Sequence, residues 1–237
     1  SSFPGGTKLS VESGSAITVG NGGSGGATPG NRGSASSIAD FVSDGGGGGG
    51  PANNPAIAAS LSGSPIWVSD GGSGGGANHQ GASSQKPNTV APYWGLGNTP
   101  GGFTPSEGNY GSAPMDSPGP TNHEGSGGGG AGAVGNRASH GGPGGPGGSG
   151  ASNSITGSSV TYAGGGTGGT NGLGGGGGGG SDPGGSSGSG GNGIVYIRVP
   201  SADAPGTLSV SPGTNSVSTL PPGDKLCTFT VSGTIEF

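Results

Sequence analysis

GGGGGGG at residues 174–180, GGGGGG at 45–50 and GGPGGPGGSG at 141–150 are the stretches that decide the fold. Glycine and proline share access to an extended left-handed helix with three residues per turn, in which seven residues would reach about 22 Å. This helix forms no internal hydrogen bonds, so its N–H and C=O groups must pair with neighbouring segments. Because glycine has no Cβ atom, such backbones can approach closely enough for N–H···O and Cα–H···O contacts. We therefore predict packed polyglycine-II-type helical arms, and the three-residue spacing of Pro143 and Pro146 predicts that both lie on an outer face while Gly faces inward.

Short strand-like segments alternate with the glycine runs. The repeat consists of β-branched residues, a small or acidic residue and then glycines. It occurs as AITVGNGG (16–23), SIADFVSDGGGGGG (37–50), SPIWVSDGGSGGG (64–76) and SITGSSVTYAGGGTGG (154–169). Each apolar piece has partial period-2 alternation, which is typical of strands. The pattern predicts an all-β fold, a short-strand sandwich or roll with no appreciable α-helix.

The composition excludes several classes of protein. Of 237 residues, 68 are Gly and 20 are Pro, while 25% are hydrophobic and 7% are charged. This leaves too little apolar surface for the core of a conventional globular enzyme. Disordered chains are usually rich in charge, whereas the net charge here is −5. Collagen needs Gly at every third position over long stretches, and that register breaks within a few triplets.

The charged and apolar residues point to neither nucleic acid nor membrane. The six Lys and Arg residues are scattered, whereas a phosphate backbone requires a clustered basic footprint. The most apolar stretch, GIVYIRV at residues 193–199, is much shorter than the roughly 20 residues that span a bilayer. Cys227 is the only cysteine, so we expect a small apolar residue in a strand. Ser1 stands first and Met115 is the only methionine, which indicates a processed product or one domain of a longer chain.

No motif with catalytic, cofactor-binding or metal-binding context is present. Strings that match nucleotide-binding and serine-hydrolase patterns recur because the chain is rich in Gly, and none joins a strand to a helix. GGGGSD at residues 177–182 matches the start of a calcium-binding nonapeptide and then fails at Gly184. The three histidines lack metal-ligand spacing. We predict a protein that is not an enzyme, with no catalytic residues, no cofactor and no metal site.

The composition divides the chain into two regions. Residues 1–192 carry the strands and glycine arms, with an insert at 77–123 that is rich in Pro and aromatic residues. Residues 193–237 are predicted to complete the sheet. Alternation there places Cys227, Phe229 and Val231 on one face, which is predicted to point inward.

The insert carries the candidate recognition residues Tyr93, Trp94, Phe103 and Tyr110. Aromatic side chains supply large contact areas at low entropic cost and are enriched in binding hot spots. Glycine arms have no side chains with which to discriminate a partner. The alternative is that these rings form a small core that caps the end of the bundle.

Four segments carry a resemblance to a known family: ITVGNGG (17–23), GGGGAGAVG (127–135), SSVTYAGGG (158–166) and GGNGIVYIRVP (190–200). With them the chain resembles the glycine-rich domain family of bacteriophage virion proteins, of the tail-fibre and surface-fibre type. Such domains usually begin with an FTxSGTF-like strand, whereas the match here, FTVSGTIEF, stands at residues 229–237. The chain is also distantly similar in architecture to phage adhesins built on packed polyglycine helices.

The resemblance implies a structural protein on the virion surface, such as a tail fibre, capsid fibre or decoration protein. Its expected partners are other virion proteins and further copies in a homo-oligomer, together with a glycan or protein of the host surface; nucleic acid and membrane insertion are not expected. A secreted bacterial surface adhesin or filament subunit is the main alternative. An ice-binding protein would need a regular face of small residues, which the insert at 77–123 interrupts.

Overall fold

The computed structural model describes residues 9–26, 30–50, 70–77, 95–98, 104, 106–112, 124–139, 143–167, 175–180 and 186–237, and these contain no helix. Their strands are β1 (Ser15–Thr18), β2 (Ser36–Ile38), β3 (Phe41–Ser43), β4 (Ala151–Asn153), β5 (Val160–Tyr162), β6 (Val195–Val199), β7 (Ser209–Ser211), β8 (Ser216–Leu220), β9 (Asp224–Phe229) and β10 (Gly233–Glu236). All strand pairs are antiparallel. The all-β prediction is confirmed.

Two of the three sheets form a sandwich. One has the strand order β3-β2-β1-β10-β7 and the other β6-β9-β8, while β4 and β5 form a separate hairpin. Ile17, Cys227, Phe229 and Ile235 form the core. Cys227 and Phe229 point inward as predicted, but Val231 is 41% exposed. The prediction for Val231 was wrong because β9 ends at Phe229 and the chain turns before β10.

The chain closes the sandwich with strands from both ends of the described sequence. Within the five-stranded sheet, Ser15 of β1 lies opposite Ile235 of β10. The Ser13 hydroxyl accepts the N–H of Phe237 at 3.0 Å and donates to the Glu236 carboxylate at 3.1 Å. All the glycine-rich segments therefore lie between strands that belong to one sandwich.

The glycine-rich segments form a bundle of extended arms whose mutual hydrogen bonds recur every three residues. Arm 1 to arm 12 are residues 20–26, 30–35, 45–50, 70–77, 95–98, 106–112, 124–131, 133–139, 143–150, 163–167, 175–180 and 186–193. Between arms 3 and 4, for example, Gly47 N–H donates to Ser73 O and Gly50 N–H to Gly76 O. This is the three-residue repeat expected of packed polyglycine-II-type arms. The predicted insert at 77–123 contributes arms 5 and 6 to the bundle.

Arm 7 shows how the arms satisfy one another's backbone groups. Its N–H groups donate to carbonyls of arms 4, 8 and 10, and its carbonyls accept from arms 6, 9 and 11. Arm 7 is thus hydrogen-bonded to six neighbours around its circumference. The absence of side chains on Gly127–Gly130 permits this approach, because a Cβ atom at any of these positions would lie closer than 3.0 Å to a neighbouring backbone.

The most deeply buried arms carry few side chains, and those are small or polar. The described residues of arms 4 and 11 and residues 125–130 of arm 7 are buried throughout, and their only residues other than glycine are Asp70, Ser73, Ala77 and Ser126. Arm 9, at the rim, exposes Pro143, Pro146 and Ser149 and buries Gly145 and Gly148. The prolines spaced by three therefore lie on an outer face, as their spacing predicted.

The arms have a base and a distal end. At the base, arm 1 follows β1, arm 3 follows β3 and arm 12 leads into β6. At the other end, hydrogen bonds from Gly180 to Gly50 and from Ser126 to Ala77 set these residues at one level, far from the strands. The described residues that flank the segments 27–29, 78–94, 113–123, 140–142 and 181–185 lie towards this distal end.

Candidate binding groove

Among the residues that the structure describes, one side of the sandwich is open. The edge strands β7 and β8 approach each other on one side, whereas β3 and β6, the other two edges, stand on either side of a groove of about 1670 Å³. The β4–β5 hairpin and the base of arm 3 also line it. Both β2–β3 and β4–β5 turn sharply, with positive φ at Ala39 (47°) and Gly157 (91°). The segment Ser37–Gly50, expected as one strand and a glycine run, thus contains a hairpin that shapes one wall.

The walls of the groove are continuous with the hydrophobic core. Ile38, Val195, Ile197 and Leu208 pack against the core and also line the groove, and the core residue Ile235 forms part of its lining. In a closed sandwich the two inner sheet faces cover each other at about 10 Å. Here one margin of that interface remains accessible within the described part of the chain.

Two tyrosines meet at the groove. The rings of Tyr162, on β5, and Tyr196, on β6, lie edge to face with centroids 5.8 Å apart and planes inclined by 61°. Burial raises the pKa of Tyr196, and its hydrogen bond with Tyr162 raises the pKa further. The Tyr196 hydroxyl therefore remains protonated at neutral pH and offers a hydrogen bond without charge.

A group of charged residues closes the end of the groove nearest the bundle. The Arg32 guanidinium pairs with the Asp44 carboxylate at 2.9 Å, and Glu107 Oε2 accepts the N–H of Asp44 at 2.8 Å. Burial raises the pKa of Glu107, although the bonds from Asp44 N–H and the Ser43 hydroxyl act against this shift. In the same way Asp70 accepts the N–H of Leu96 at 2.7 Å. Asp44 and Asp70, which precede the glycines in the repeats at 37–50 and 64–76, thus lie at the base of the bundle, where arms 3 and 4 begin.

Negative charge predominates around the groove. Asp44, Glu107 and Asp203 line it, and Arg198 is its one lining cation among the described residues. Arg198 Nε donates to Asp224 Oδ2 at 2.8 Å. The N–H of Ser201 and the Arg198 side chain lower the pKa of Asp224, so this carboxylate remains available to neutralise Arg198.

Of the four predicted recognition residues, only Tyr110 lies among the residues that the structure describes. Tyr93, Trp94 and Phe103 lie outside the described residues. Tyr110, on arm 6, is 52% exposed and is absent from the groove lining. Its carbonyl accepts the N–H of Gly135, beside the half-exposed Val134.

The described neighbours of the predicted residues lie at different levels of the bundle. Gly95, which follows Trp94, hydrogen-bonds to Gly75 towards the distal end. Asn98 and Glu107, which flank the segment with Phe103, contact Gly72 and Asp44 at the base.

Comparison with family models, curated proteins and solved structures finds no match to this chain. Among the described residues, no group of three or more His, Cys, Asp or Glu is arranged to hold a metal ion. No helix long and apolar enough to cross a membrane occurs in that part of the chain.

Sequence reasoning missed the groove residues Tyr162 and Tyr196. Both stand in segments that were expected to be strands, and each follows the alternation that separates inward from outward positions. Tyr196 lies between Val195 and Ile197, which pack against the core. The aromatic side chain of Tyr196 between these two apolar residues was a sequence signal for a functional surface. The contact with Tyr162 could not be predicted, because the β4–β5 hairpin brings the two rings together only in the tertiary structure.

Proposed function

We propose that this protein is a non-enzymatic structural component of a phage virion surface, such as a tail fibre, capsid fibre or decoration protein. The observation that supports this most is the bundle, whose arms satisfy one another's backbone groups with little contribution from side chains. Such packing suits a durable extracellular part with low charge. In the assembly, the protein contacts other virion proteins and further copies of itself in a closed symmetric homo-oligomer.

The distal end of the bundle is the part that we propose contacts the host. The described residues on either side of five segments lie towards that end, including the segment 78–94 with Tyr93 and Trp94. Connecting segments carried on a rigid scaffold are common positions for recognition residues. A glycan or a protein of the host surface is the proposed partner.

The proposed virion location can be tested on purified phage particles. Mass spectrometry of virions from cells that encode this chain should detect it, and gold-labelled antibodies should mark the particle surface. Recovery of the chain only in the cytosolic fraction would reject a virion location. Recovery on the surface of uninfected bacteria would instead support the alternative, a secreted adhesin or filament subunit.

A further inference from the structure

We propose that Asn21 and Asn192 are latent deamidation sites. The fold keeps both unreacted while arms 1 and 12 stay paired, and separation of the two arms releases the reaction. Glycine follows each asparagine, in Asn21–Gly22 and Asn192–Gly193. The inference depends only on contacts between arms 1 and 12, so it is independent of a virion location.

Deamidation of an Asn–Gly sequence begins at the backbone. The glycine nitrogen loses its proton and attacks the asparagine Cγ, which forms a C–N bond and releases the side-chain nitrogen as ammonia. Water then opens the resulting succinimide ring at either carbonyl and gives aspartate or isoaspartate. Glycine permits this ring closure best, because it has no Cβ atom and its backbone rotates most freely. The reaction therefore requires a glycine nitrogen that is free of other contacts.

Both attacking nitrogens are held in hydrogen bonds between arms 1 and 12. The Gly22 N–H donates to Asn192 Oδ1 at 3.0 Å, and the Gly193 N–H donates to Gly20 O at 2.9 Å. A hydrogen bond directs the N–H at its acceptor and opposes loss of the proton. Asn192 is restrained twice, because its side chain and the nitrogen that follows it both bond to arm 1. While the arms stay paired, neither nitrogen is free to attack.

The protection depends on this pairing and not on burial, because Asn21 and Asn192 are both exposed to water. Further bonds join the same two arms. Gly190 N–H donates to Gly23 O at 2.9 Å, and Gly25 N–H donates to Ser189 Oγ at 2.8 Å. Release of the attacking nitrogens therefore requires a local opening in which several bonds between the arms break together.

Close packing explains why glycine follows each asparagine. A Cβ atom on Gly22 would lie closer than 3.0 Å to the backbone of arm 12, and one on Gly193 would lie 2.7 Å from Ser36 Oγ. Ser36 Oγ is itself fixed, because it accepts the Gly20 N–H at 3.0 Å. At position 192 the asparagine supplies the acceptor for arm 1. The reactive pair at 192–193 thus follows from the packing that protects it.

Deamidation makes an opening of the arms irreversible. Isoaspartate carries one more carbon in the backbone than asparagine, so it displaces the three-residue repeat through which the arms pair. An arm that has reacted in this way no longer returns to its register. The two asparagines therefore record whether arms 1 and 12 have separated.

Peptide mapping by mass spectrometry tests the proposal on the full chain. The native protein and the protein unfolded in guanidinium chloride are incubated at the same mildly alkaline pH, and aspartate and isoaspartate are measured at each asparagine. The Asn–Gly pair at 171–172, which lies outside the described residues, is measured separately. We expect Asn21 and Asn192 to react at least about ten-fold more slowly in the native protein, because reaction there requires the open state.

Variants at position 192 test the hydrogen bond itself, with Asn21 as the readout. Asn192→Ala removes the acceptor of Gly22 N–H and should speed deamidation of Asn21 in the native protein by at least about three-fold. Asn192→Asp keeps an acceptor oxygen and should hold the rate within about two-fold of the wild type. Asn31→Ala is the matched control, because it removes a side-chain amide bond to Ser24 of arm 1 and leaves Gly22 N–H untouched. Circular dichroism confirms that all three variants keep the fold.

Three results would overturn the proposal. Equal rates in the native and unfolded protein would show that the pairing of the arms does not protect the asparagines. Slow reaction in guanidinium chloride would assign the protection to the local sequence. An Asn21 rate that rises equally in Asn192→Ala and Asn31→Ala would assign the effect to general loosening of arm 1 and not to the bond from Gly22.

Discussion

Substitution of Gly128 by Ala tests the close packing of the bundle. Gly128 lies in arm 7, where its N–H donates to Gly166 O and its carbonyl accepts from Gly148 N–H, both at 2.9 Å. A Cβ atom on Gly128 would lie closer than 3.0 Å to the backbone of Gly176 and Gly177 in arm 11. Backbone atoms cannot rotate away as a side chain can, so one arm must shift.

The expected loss of stability combines three contributions. Overpacking a tight interior costs about 1–3 kcal/mol. Each backbone hydrogen bond weakened by the shift costs a further 0.5–1.5 kcal/mol or so. The reduced entropy of the unfolded chain offsets about 0.4–1 kcal/mol. We therefore expect a net loss of about 2–4 kcal/mol, and at about 2–4 °C per kcal/mol a fall in Tm of about 4–16 °C.

Thermal unfolding followed by circular dichroism or calorimetry measures this change. Gly206→Ala is the matched control, because no atom lies within 4 Å of a Cβ placed there. That control should leave the free energy of unfolding unchanged or raise it by about 0.4–1 kcal/mol. A Gly128→Ala variant with the Tm of the wild type would refute close backbone packing in arm 7.

Three further predictions concern other parts of the molecule. Because burial raises the folded-state pKa of Glu107 above its ordinary 4.5, the free energy of unfolding should fall as pH rises through the window above 4.5. Glu107→Gln should remove this fall. If denaturant titrations gave the wild type and Glu107→Gln the same dependence of unfolding free energy on pH, the prediction would be wrong. Cys227 is fully buried and burial raises its pKa, so a thiol reagent at pH 8 should label it only after unfolding; rapid labelling of the native protein would contradict the core position. Trp94→Ala should weaken host adsorption by about 2 kcal/mol without changing particle assembly, and normal adsorption with impaired assembly would end the host-contact hypothesis.

Much of the fold could be predicted from local sequence, because the conformation of a polyglycine arm or a strand depends on the pattern of a few neighbouring residues. Glycine runs predicted packed arms, and the three-residue spacing of Pro143 and Pro146 predicted an outer face. Period-2 alternation predicted the inward positions of Cys227 and Phe229. Each of these depends on a helical or strand repeat, which is set by the local backbone.

The partners of each arm could not be predicted in the same way. Successive glycines present the same N–H and C=O groups, so residues 125–130 contain almost no side-chain information about which six neighbours they join. The groove was likewise hidden, because Tyr162 and Tyr196 are 34 positions apart and meet only through a hairpin. The contact between β3, β6 and the hairpin arises only in the assembled sandwich.

The pairing of Ser15 with Ile235 also has a consequence for synthesis on the ribosome. When β1 and all the arms have emerged, β10 is still absent, so the five-stranded sheet lacks the strand that joins β1 to β7. Contacts of such high sequence separation form slowly, and incomplete sheets expose edges that aggregate. We expect nascent chains in which residues 233–236 have not yet left the ribosome to remain sensitive to protease, and chains in which β10 has emerged to acquire resistance.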